Sequence, residues 1–527
     1  MLRRFTLCLL SLLIPVSAAA EVISVSPEQN WCDVANAAAP GDVVALEGGD
    51  HTSACFLGAR GEADAPIVIR SADPSDPARM AYDGTTANVI DIREESAHLV
   101  IENLYFSTTQ QGVDAIKIRG GHDFEIRDNL FAFVGGVSIA ANTGHTERIT
   151  ITGNVFFDLQ STGIYLGCHE GAISCRSTQA LIEGNTIFGV NSTGVGYGIQ
   201  IKVDSDAVIR DNSIFDTQGP GVMVYGARGN IPPSIIDGNL IIGSRRSGPI
   251  LVGGGPATVT NNIVARGWWG GIVSYSHDAG GPQQGVIIAH NTAFENEEAG
   301  IRVQDWEVGS SNFLVNNAVI PLPDHAAFSP AYPGGSSFGN VECTNSWNCV
   351  VDVENTPFSV SPLVDGHLIG AATAVNADWY PRVDFMGRAR STSPTAGAIE
   401  RALEDGGPWL QIDQSRPPRL TDDPELPPDE NGDEEPIEEV GEEVEEDRDD
   451  EDDAVEESHG GDSDSQIESE PPDALASDSD RATSPQGESS SCGAVNRSDG
   501  VPGAVLLLAV LLLAARYRRV QSSIASS

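Results

Sequence analysis

The sequence predicts an all-β fold, a parallel β-helix in which short strands stack into a solenoid. A phrase in which an asparagine follows Ile, Val or Leu by two or three residues and precedes apolar residues returns between Ile101 and Ile320, with its asparagines 23 to 31 residues apart. Segments with an apolar residue at every second position recur at the same interval, which indicates strands buried on one face. Because no helical periodicity accompanies them, the repeat is typical of a β-solenoid.

An asparagine returns in every copy of the phrase. We expect these residues to lie at turns, where asparagine tolerates a left-handed backbone, and to bond to the same position one coil away. Such a ladder is structural and is not a ligand site. Its predicted members are Asn103, Asn129, Asn154, Asn185, Asn212, Asn239, Asn262, Asn291 and Asn317.

The parts flanking the repeats at 101–320 are predicted to complete the domain. An N-terminal part, 21–100, contains a short helix-like stretch to Ala39 that Asn30 can cap by accepting a backbone hydrogen bond. Strand signals follow at 43–46, 67–69 and 89–92. The helix is expected to cover the first edge of the solenoid and the C-terminal part, 321–403, the last edge, because open sheet edges promote aggregation.

Both ends of the chain are predicted to be targeting segments. Residues 1–20 combine Arg3 and Arg4 with an apolar run and an Ala-x-Ala cleavage pattern, which is typical of a secretory signal peptide. Residues 489–527 join Cys492 to an apolar run and an arginine cluster. The run, Val501–Ala515, predicts a short transmembrane helix that is either a membrane anchor with a cytoplasmic basic end or part of a sorting tail. Either reading predicts a protein that is exported and held at a membrane.

The net charge of −46 is concentrated in a linker at 404–488. From Thr421 to Glu488 there are 30 acidic residues against Arg448 and Arg481, and no aromatic residue. Such a segment cannot bury enough apolar surface to fold, so we expect a disordered, extended stalk. The acidic balance also excludes nucleic acid as a partner, because that partner requires a basic surface.

Six cysteines outside the termini fall into local pairs. An even number at short separations in an exported chain predicts disulfides. Metal binding is the alternative, but no histidines lie at zinc spacing beside them. The predicted pairs are Cys32 with Cys55, Cys168 with Cys175, and Cys343 with Cys349.

Functional residues are expected on the outer face of the strand that follows each asparagine phrase. Its third and fifth residues are predicted to point outward and to stack in two columns. The first column is Lys117, Ser138, Tyr165, Gln200, Met223, Ile250, Val273 and Arg302. The second is Arg119, Ala140, Gly167, Lys202, Tyr225, Val252, Tyr275 and Gln304.

Cations, aromatic rings and amides thus recur at a regular pitch on this face. Aromatic faces stack on sugar rings, while arginine and lysine pair with carboxylates. An acidic or envelope polysaccharide is therefore the predicted partner, and an ordinary mixed surface is the alternative. The predicted substrate-binding residues are Tyr165, Gln200, Arg228, Trp268, Trp269, Tyr275, His277, Gln304 and Trp306.

Lys202 is the candidate base for a β-elimination, in which a base removes the proton beside a uronate carboxyl group and a cation neutralises the developing charge. Tyr225 and His169 would flank this lysine, and Arg302 or Arg228 would clamp the carboxylate. Other chemistry stays open. Asp204 and Asp206 are candidate calcium ligands, and Glu170 with Asp204 would be the carboxylate pair of a glycosidase.

The span 22–401 carries motifs of a known superfamily. Ala37–Asp42 and Ala65–Arg70 look like the start of alginate-lyase and chondroitinase-B-like polysaccharide lyases. Asp384–Arg390 and Gly397–Glu400 look like the end of many exported β-helix proteins. The span resembles the pectin-lyase-like right-handed β-helix superfamily, which implies a right-handed solenoid and a polysaccharide partner.

The resemblance is incomplete in the chemistry-bearing motifs. The lysine-containing and arginine-histidine motifs of the lyases have no clear match, so we expect a noncatalytic glycan-binding or structural surface protein. A polysaccharide lyase acting on an acidic polymer is the alternative. The C-terminal segment resembles the bacterial MYXO-CTERM and GlyGly-CTERM sorting signals. This resemblance implies a bacterial cell envelope and a processing machinery that recognises the region of Cys492.

Overall fold

Three parallel β-sheets run along the molecule in the computed structural model. The structure describes residues 20–168, 175–192, 194–330, 334–353 and 359–401. These residues form an all-β parallel solenoid of about 11 turns, as the repeat interval predicts.

Most coils contribute one strand to each sheet, in chain order, and one coil contributes both Ser177–Thr178 and Ala180–Glu183 to the first sheet. The first sheet contains Val22–Val25, Val43–Leu46, Ile67–Ser71, Ala97–Glu102, Gly121–Arg127, Thr146–Thr152, Ser177–Thr178, Ala180–Glu183, Ala207–Arg210, Ser234–Asp237, Ala257–Thr260, Val286–Ala289, Phe313–Val315 and Ser336–Phe338. The second contains Gly49–His51, Ala78–Met80, Tyr105–Ser107, Leu130–Ala132, Val155–Leu159, Thr186–Val190, Ser213–Thr217, Leu240–Ser244, Ile263–Gly267, Thr292–Phe294, Ala318–Ile320 and Val341–Glu342. The third contains Cys55–Leu57, Ile90–Ile92, Ile116–Ile118, Ile139–Ala141, Ile164–Leu166, Ile199–Ile201, Val222–Val224, Ile250–Val252, Ile272–Ser274, Ala299–Val303 and Ala326–Ser329.

The core lies inside the coils, where equivalent side chains stack on one another. Phe106, Phe131 and Phe156 form one such stack, with successive ring centroids 4.8 Å apart. This distance matches the spacing of hydrogen-bonded strands, about 4.8 Å. Because each inward position repeats in the next coil, branched aliphatic and aromatic residues fill the interior.

The asparagine phrase spans a corner, so it forms the end of one strand and the start of the next. In the first copy the first-sheet strand ends at Glu102 and the second-sheet strand begins at Tyr105. The residue with the left-handed backbone is the one that precedes the ladder asparagine, as at Asp128 with φ 55° and Asp211 with φ 56°. The expectation that the ladder asparagine itself adopts this conformation was therefore wrong.

The ladder itself is present, but it begins and ends one coil later than predicted. The side-chain oxygen of each member accepts from the backbone N–H of the preceding coil, as Asn154 does from Asn129 at 3.0 Å. Asn103 is not a member, because it is the left-handed residue of its corner and Leu104 holds the ladder position. The members are Asn129, Asn154, Asn185, Asn212, Asn239, Asn262, Asn291, Asn317 and Asn340.

A helix packs near the start of the solenoid. It covers Trp31–Ala37, and the Asn30 side chain caps it by accepting from the backbone N–H of Cys32 at 3.1 Å. Trp31 is fully buried, and its indole N–H donates to the carbonyl of Ser53 at 3.0 Å. The helix is thereby fixed to the first coils through its aromatic residue.

The C-terminal part packs along the side of the solenoid as well as near its end. It contains the 3₁₀ helix Ser346–Asn348 and the antiparallel pair Val350–Asp352 and Ser359–Pro362. Ile399 joins a second apolar cluster with Phe294 on the outer face of the second sheet. The two end motifs meet there, since the buried Arg390 pairs with Glu400 at 3.1 Å.

The three predicted disulfides, Cys32–Cys55, Cys168–Cys175 and Cys343–Cys349, are all formed. Within the described ranges, no helix is both long and apolar enough to cross a bilayer. The predicted linker at 404–488 and the tail with Cys492 lie outside the described residues, as does nearly all of the predicted signal peptide.

Candidate functional site

The register of the third sheet defines which residues share its outer face. Tyr165, Gln200, Met223, Leu251, Val273 and Arg302 follow one another in directly paired positions. The predicted column was wrong at two places. Leu251 replaces Ile250 because Pro249, one residue after Gly248, occupies the glycine position. Ala140 replaces Ser138, which is fully buried.

The second predicted column is corrected in the same way. Ala140 belongs to the first column, and Val252 pairs with Val224 on the inward face. Gly253 therefore takes the outward position between Tyr225 and Tyr275. A side chain there would collide with neighbours, because a Cβ on Gly253 would lie 2.7 Å from the Met223 methyl carbon and 3.0 Å from the Cβ of His277.

Cations and aromatic rings on this face form a continuous series of contacts, here called the aromatic row. The ammonium nitrogen of Lys202 lies 5.4 Å from the ring centroid of Tyr165 and 4.2 Å from that of Tyr225. The Tyr225 ring meets His277 edge-on with centroids 4.8 Å apart. The complete row is Tyr165, Lys202, Tyr225, His277, Tyr275, Trp269 and Arg302.

The other end of the aromatic row is cationic too. Tyr275 contacts His277 with centroids 5.8 Å apart and Trp269 at 5.1 Å. The guanidinium carbon of Arg302 lies 5.2 Å from the Trp269 ring centroid. From Tyr165 to Arg302 the row crosses five coil steps, which corresponds to about 24 Å along the solenoid axis. This length matches several sugar residues of an extended polymer.

The aromatic row has a buried layer and a partly exposed layer. Tyr225 is fully buried and Lys202 is only 3% exposed. Met223, Leu251 and Val273 lie beneath them in a separate outer apolar cluster, against which Trp269 and Tyr275 pack. Tyr165, Trp269, Tyr275 and His277 retain part of their surface, and Trp268 is 45% exposed. A ligand would meet these rings first.

Hydrogen bonds fix the buried layer. The Gln200 amide nitrogen donates to the hydroxyl oxygen of Tyr225 at 3.0 Å. The Tyr197 hydroxyl lies 3.4 Å from the same oxygen. Tyr197 was not predicted, although its place between Gly196 and Gly198, just before a strand of the third sheet, was a signal for it. These contacts hold the Tyr225 ring against Lys202.

Arg302 is held in place by two neighbours. Its guanidinium pairs with the carboxylate of Glu298, which directly precedes the strand Ala299–Val303. The Gln304 amide oxygen, in the orientation its surroundings favour, accepts from the same guanidinium at 2.9 and 3.2 Å. The predicted clamp residue therefore lies beside the predicted Gln304 and stacks on the predicted Trp269.

Trp306 is placed differently from the other predicted binding residues. It is 8% exposed and belongs to the main core. Its indole N–H donates to the Ser274 hydroxyl at 3.0 Å. In this position the ring supports the coil from below and offers little face to a sugar.

Arg228 and the two predicted calcium ligands make their contacts outside the aromatic row. The exposed Arg228 guanidinium lies 3.6 Å from the Asp204 carboxylate, which also accepts from the Arg228 backbone N–H at 2.7 Å. The Asp206 carboxylate accepts from the backbone N–H of Gln179 at 3.0 Å, and burial raises the pKa of Asp206. In the described part of the chain no third carboxylate, imidazole or thiolate joins Asp204 and Asp206.

The remaining predicted chemistry is located as follows. Lys117 pairs with Asp114 at 3.5 Å, and Arg119 forms two hydrogen bonds with the buried Asp91. His169 and Glu170 lie outside the described residues. The structure thus joins Lys202 to Tyr225 and Tyr165, while the histidine predicted beside them stays a prediction.

Comparison with known proteins identifies the fold class. Residues 171–326 match the family model described as a right handed beta helix region. A search of curated proteins finds no match to the chain. Residues 171–326 are therefore similar to known right-handed β-helix regions, in agreement with the parallel solenoid of the structure.

Three solved structures illustrate the resemblance. Pectate lyase Pel9A is 14% identical over 73% of this chain and 97% of that chain, with a TM-score of 0.36. The alginate lyase from Paenibacillus sp. str. FPU-7 is 16% identical over 60% and 97%, with a TM-score of 0.32. The A-module of the mannuronan C-5 epimerase AlgE4 from Azotobacter vinelandii is 15% identical over 57% and 88%, with a TM-score of 0.41. At these values no residue role transfers to this chain.

Proposed function

We propose that this protein is an exported, noncatalytic β-helix that binds an acidic polysaccharide along the aromatic row. The observation that carries the proposal is the row itself, a series of ring and cation contacts with Lys202 next to one end and Arg302 at the other. Aromatic faces stack on sugar rings, and arginine pairs with uronate carboxylates. Repetition at each coil suits a repeating polymer.

Export and attachment to the envelope form part of the proposal. The three disulfides are consistent with an oxidising compartment. Residues 1–20 support secretion, and the apolar run Val501–Ala515 supports retention at a membrane or recognition by a sorting machinery. The acidic segment at 404–488 would then separate the binding domain from the envelope.

The burial of Lys202 favours binding over lyase chemistry. A catalytic base must come within hydrogen-bond reach of the proton that it removes. At 3% exposure, Lys202 lies beneath the rings and stabilises them through cation-π contacts. A β-elimination lyase with Lys202 as base is the second candidate, and the same experiment tests it.

The experiment uses the full-length chain with alginate, pectate and a glycosaminoglycan, each titrated by calorimetry. Trp269→Ala should weaken binding about tenfold or more, because it removes the largest partly exposed ring of the row. Arg302→Gln should weaken the binding of acidic polymers and leave the binding of a neutral polymer unchanged. Trp347→Ala is the matched control, since Trp347 is 73% exposed in the 3₁₀ helix Ser346–Asn348.

Two results would overturn the proposal. Equal affinities of wild type and Trp269→Ala would show that the aromatic row is not the binding surface. Absorbance of an unsaturated uronate produced by the wild type would show catalysis, and its loss in Lys202→Ala would assign the base. Circular dichroism of every variant separates lost binding from lost folding.

A further inference from the structure

Two histidines and an aspartate meet on the outer face of the first sheet, away from the third sheet. They are His98 on the strand Ala97–Glu102 and His122 and Asp123 on the strand Gly121–Arg127. One ligand atom from each lies within 4.8 Å of the other two. Within the part of the chain that the structure describes, this is the one such group of three.

The backbone explains why neighbours in sequence share one face. Consecutive residues of a strand normally point to opposite faces. Asp123 has a positive φ of 60°, so the alternation is interrupted and both His122 and Asp123 lie outward before Phe124 returns to the core. His98, with φ 52°, occupies the position equivalent to Asp123 one coil earlier. The sheet therefore positions the three side chains through its own hydrogen bonds.

The distances fit a shared ion after small side-chain rotations. The Nδ1 atom of His122 lies 2.6 Å from the Oδ2 atom of Asp123, and the Nδ1 atom of His98 lies 3.8 Å from the same oxygen. The two imidazole rings meet edge to face with centroids 5.3 Å apart. Zinc binds imidazole nitrogen and carboxylate oxygen at about 2.0 to 2.2 Å, so an ion between these three atoms would replace the direct contact between His122 and Asp123.

Arg148 holds the carboxylate from its other side. Its Nε and Nη2 atoms donate to the two oxygens of Asp123 at 2.8 and 2.9 Å. A carboxylate has about four lone-pair sites, so this pairing leaves one on Oδ2 for a metal. Hydrogen-bonded partners of this kind orient the ligands of metal sites. The side chains of His98, His122 and Asp123 are 21%, 33% and 27% exposed, so an ion can enter from solvent.

We propose that His98, His122 and Asp123 form a three-ligand site for a divalent transition-metal ion, with Zn²⁺ as the representative. Two imidazoles and one carboxylate suit zinc, copper or nickel, whereas calcium requires six or more oxygens. With three protein ligands, water completes the coordination. The site is distinct from the aromatic row and does not depend on the proposed glycan binding.

The test is a titration of Zn²⁺ alone into the full-length chain without an affinity tag. We expect one ion per chain, and a loss of affinity of about tenfold or more in each of His98→Ala, His122→Ala and Asp123→Asn. His367→Ala is the matched control at another exposed histidine. With Cu²⁺ as probe, electron paramagnetic resonance should show coupling to two nitrogens in wild type and to one in either histidine variant.

A binding constant weaker than about 1 mM in wild type would overturn the proposal. Undiminished affinity in the double variant His98→Ala/His122→Ala would do so as well, since the ion would then be bound elsewhere. Far-ultraviolet circular dichroism and thermal unfolding of each variant identify any that fail to fold. Where an alanine variant of His98 or His122 fails to fold, glutamine at the same position replaces alanine, because it keeps a polar side chain of similar length.

Discussion

The ammonium nitrogen of Lys202 lies 4.2 Å from the ring centroid of Tyr225, with both residues buried on the outer side of the third sheet. Buried lysine is uncommon without compensation, because removing its charge from water is costly. The rings of Tyr225 and Tyr165 supply part of that compensation. This arrangement links the register of the solenoid to its candidate binding surface, since each contact joins residues from different coils.

The Tyr225 ring is expected to carry more stability than its hydroxyl. Tyr225→Ala removes a fully buried ring and should lower the free energy of unfolding by about 3 to 5 kcal/mol. Tyr225→Phe keeps the ring but removes the hydroxyl oxygen that accepts from Gln200. It should therefore lower the free energy of unfolding by about 1 kcal/mol. Guanidinium chloride unfolding measures both. Equal losses in the two variants would locate the stabilisation in the hydroxyl network.

Substitution of a ladder asparagine should destabilise the protein far more than substitution of the left-handed asparagine at a corner. The Asn212 side chain accepts from the backbone N–H of Asn185 at 2.9 Å and donates to the carbonyl of Ile182 at 2.9 Å. Asn212→Ala leaves these buried groups without that partner and should cost at least about 2 kcal/mol.

The matched control is Asn103→Gly. Its φ of 55° suits glycine, so we expect a change within about 0.5 kcal/mol. Urea unfolding of both variants provides the comparison. A large loss for Asn103→Gly together with a small one for Asn212→Ala would restore Asn103 to the ladder.

The fold was predictable because its signals are local. Alternation of apolar residues and the recurrence of Asp, Gly or Asn at corners are properties of short segments. The exact register was not, because Pro249 shifts a strand by one residue without changing the apolar pattern, so Ile250 was placed where Leu251 lies. The burial of Tyr225 and Val273 was also missed. Residues of other coils bury these two side chains, and no local sequence pattern predicts that burial.

Asp211 should make stability fall as pH rises. Burial, with help from the charges of Asp237 and Glu183, raises the pKa of Asp211 to about 6 from its ordinary value of 3.8. The folded state therefore holds more protons than the unfolded state between about pH 4 and 6, so the free energy of unfolding decreases through this window.

Asp211→Asn removes this cost and keeps a residue suited to φ 56°. At pH 7.5 we expect a gain of at most about 1 kcal/mol in the free energy of unfolding. The residue retains exposed surface, so solvent weakens both the effect of burial on its carboxylate and the repulsion from Asp237 and Glu183. The gain should vanish near pH 4. Thermal unfolding at several pH values tests it, with Asp324→Asn as control at another exposed aspartate with positive φ. A pH-independent gain would contradict the assignment.

His290 should make the protein sensitive to acid. It is fully buried at the left-handed position before Asn291, and its Nε2 atom accepts from the Asn316 amide at 3.0 Å. Burial, followed by the charge of Arg390, lowers the pKa of His290 to about 2 from 6.5. Between these values the unfolded state binds more protons than the folded state. The contribution to stability is thus complete above about pH 6.5 and is lost as pH falls toward 2.

His290→Asn should flatten this dependence. The equivalent positions of the adjacent coils are Asn261 and Asn316, both left-handed, so asparagine fits the backbone. At pH 7.5 the variant should lose about 1 kcal/mol, because the imidazole packs edge-on against Tyr380 with ring centroids 5.1 Å apart. Between pH 6.5 and 4 the slope of its free energy of unfolding against pH should be shallower by up to about 1.4 kcal/mol per pH unit, the value for one proton.

Guanidinium chloride unfolding at pH 4, 5, 6 and 7.5 measures the slopes, with His367→Asn as the exposed control. Parallel curves for His290→Asn and wild type would show that acid acts on another group.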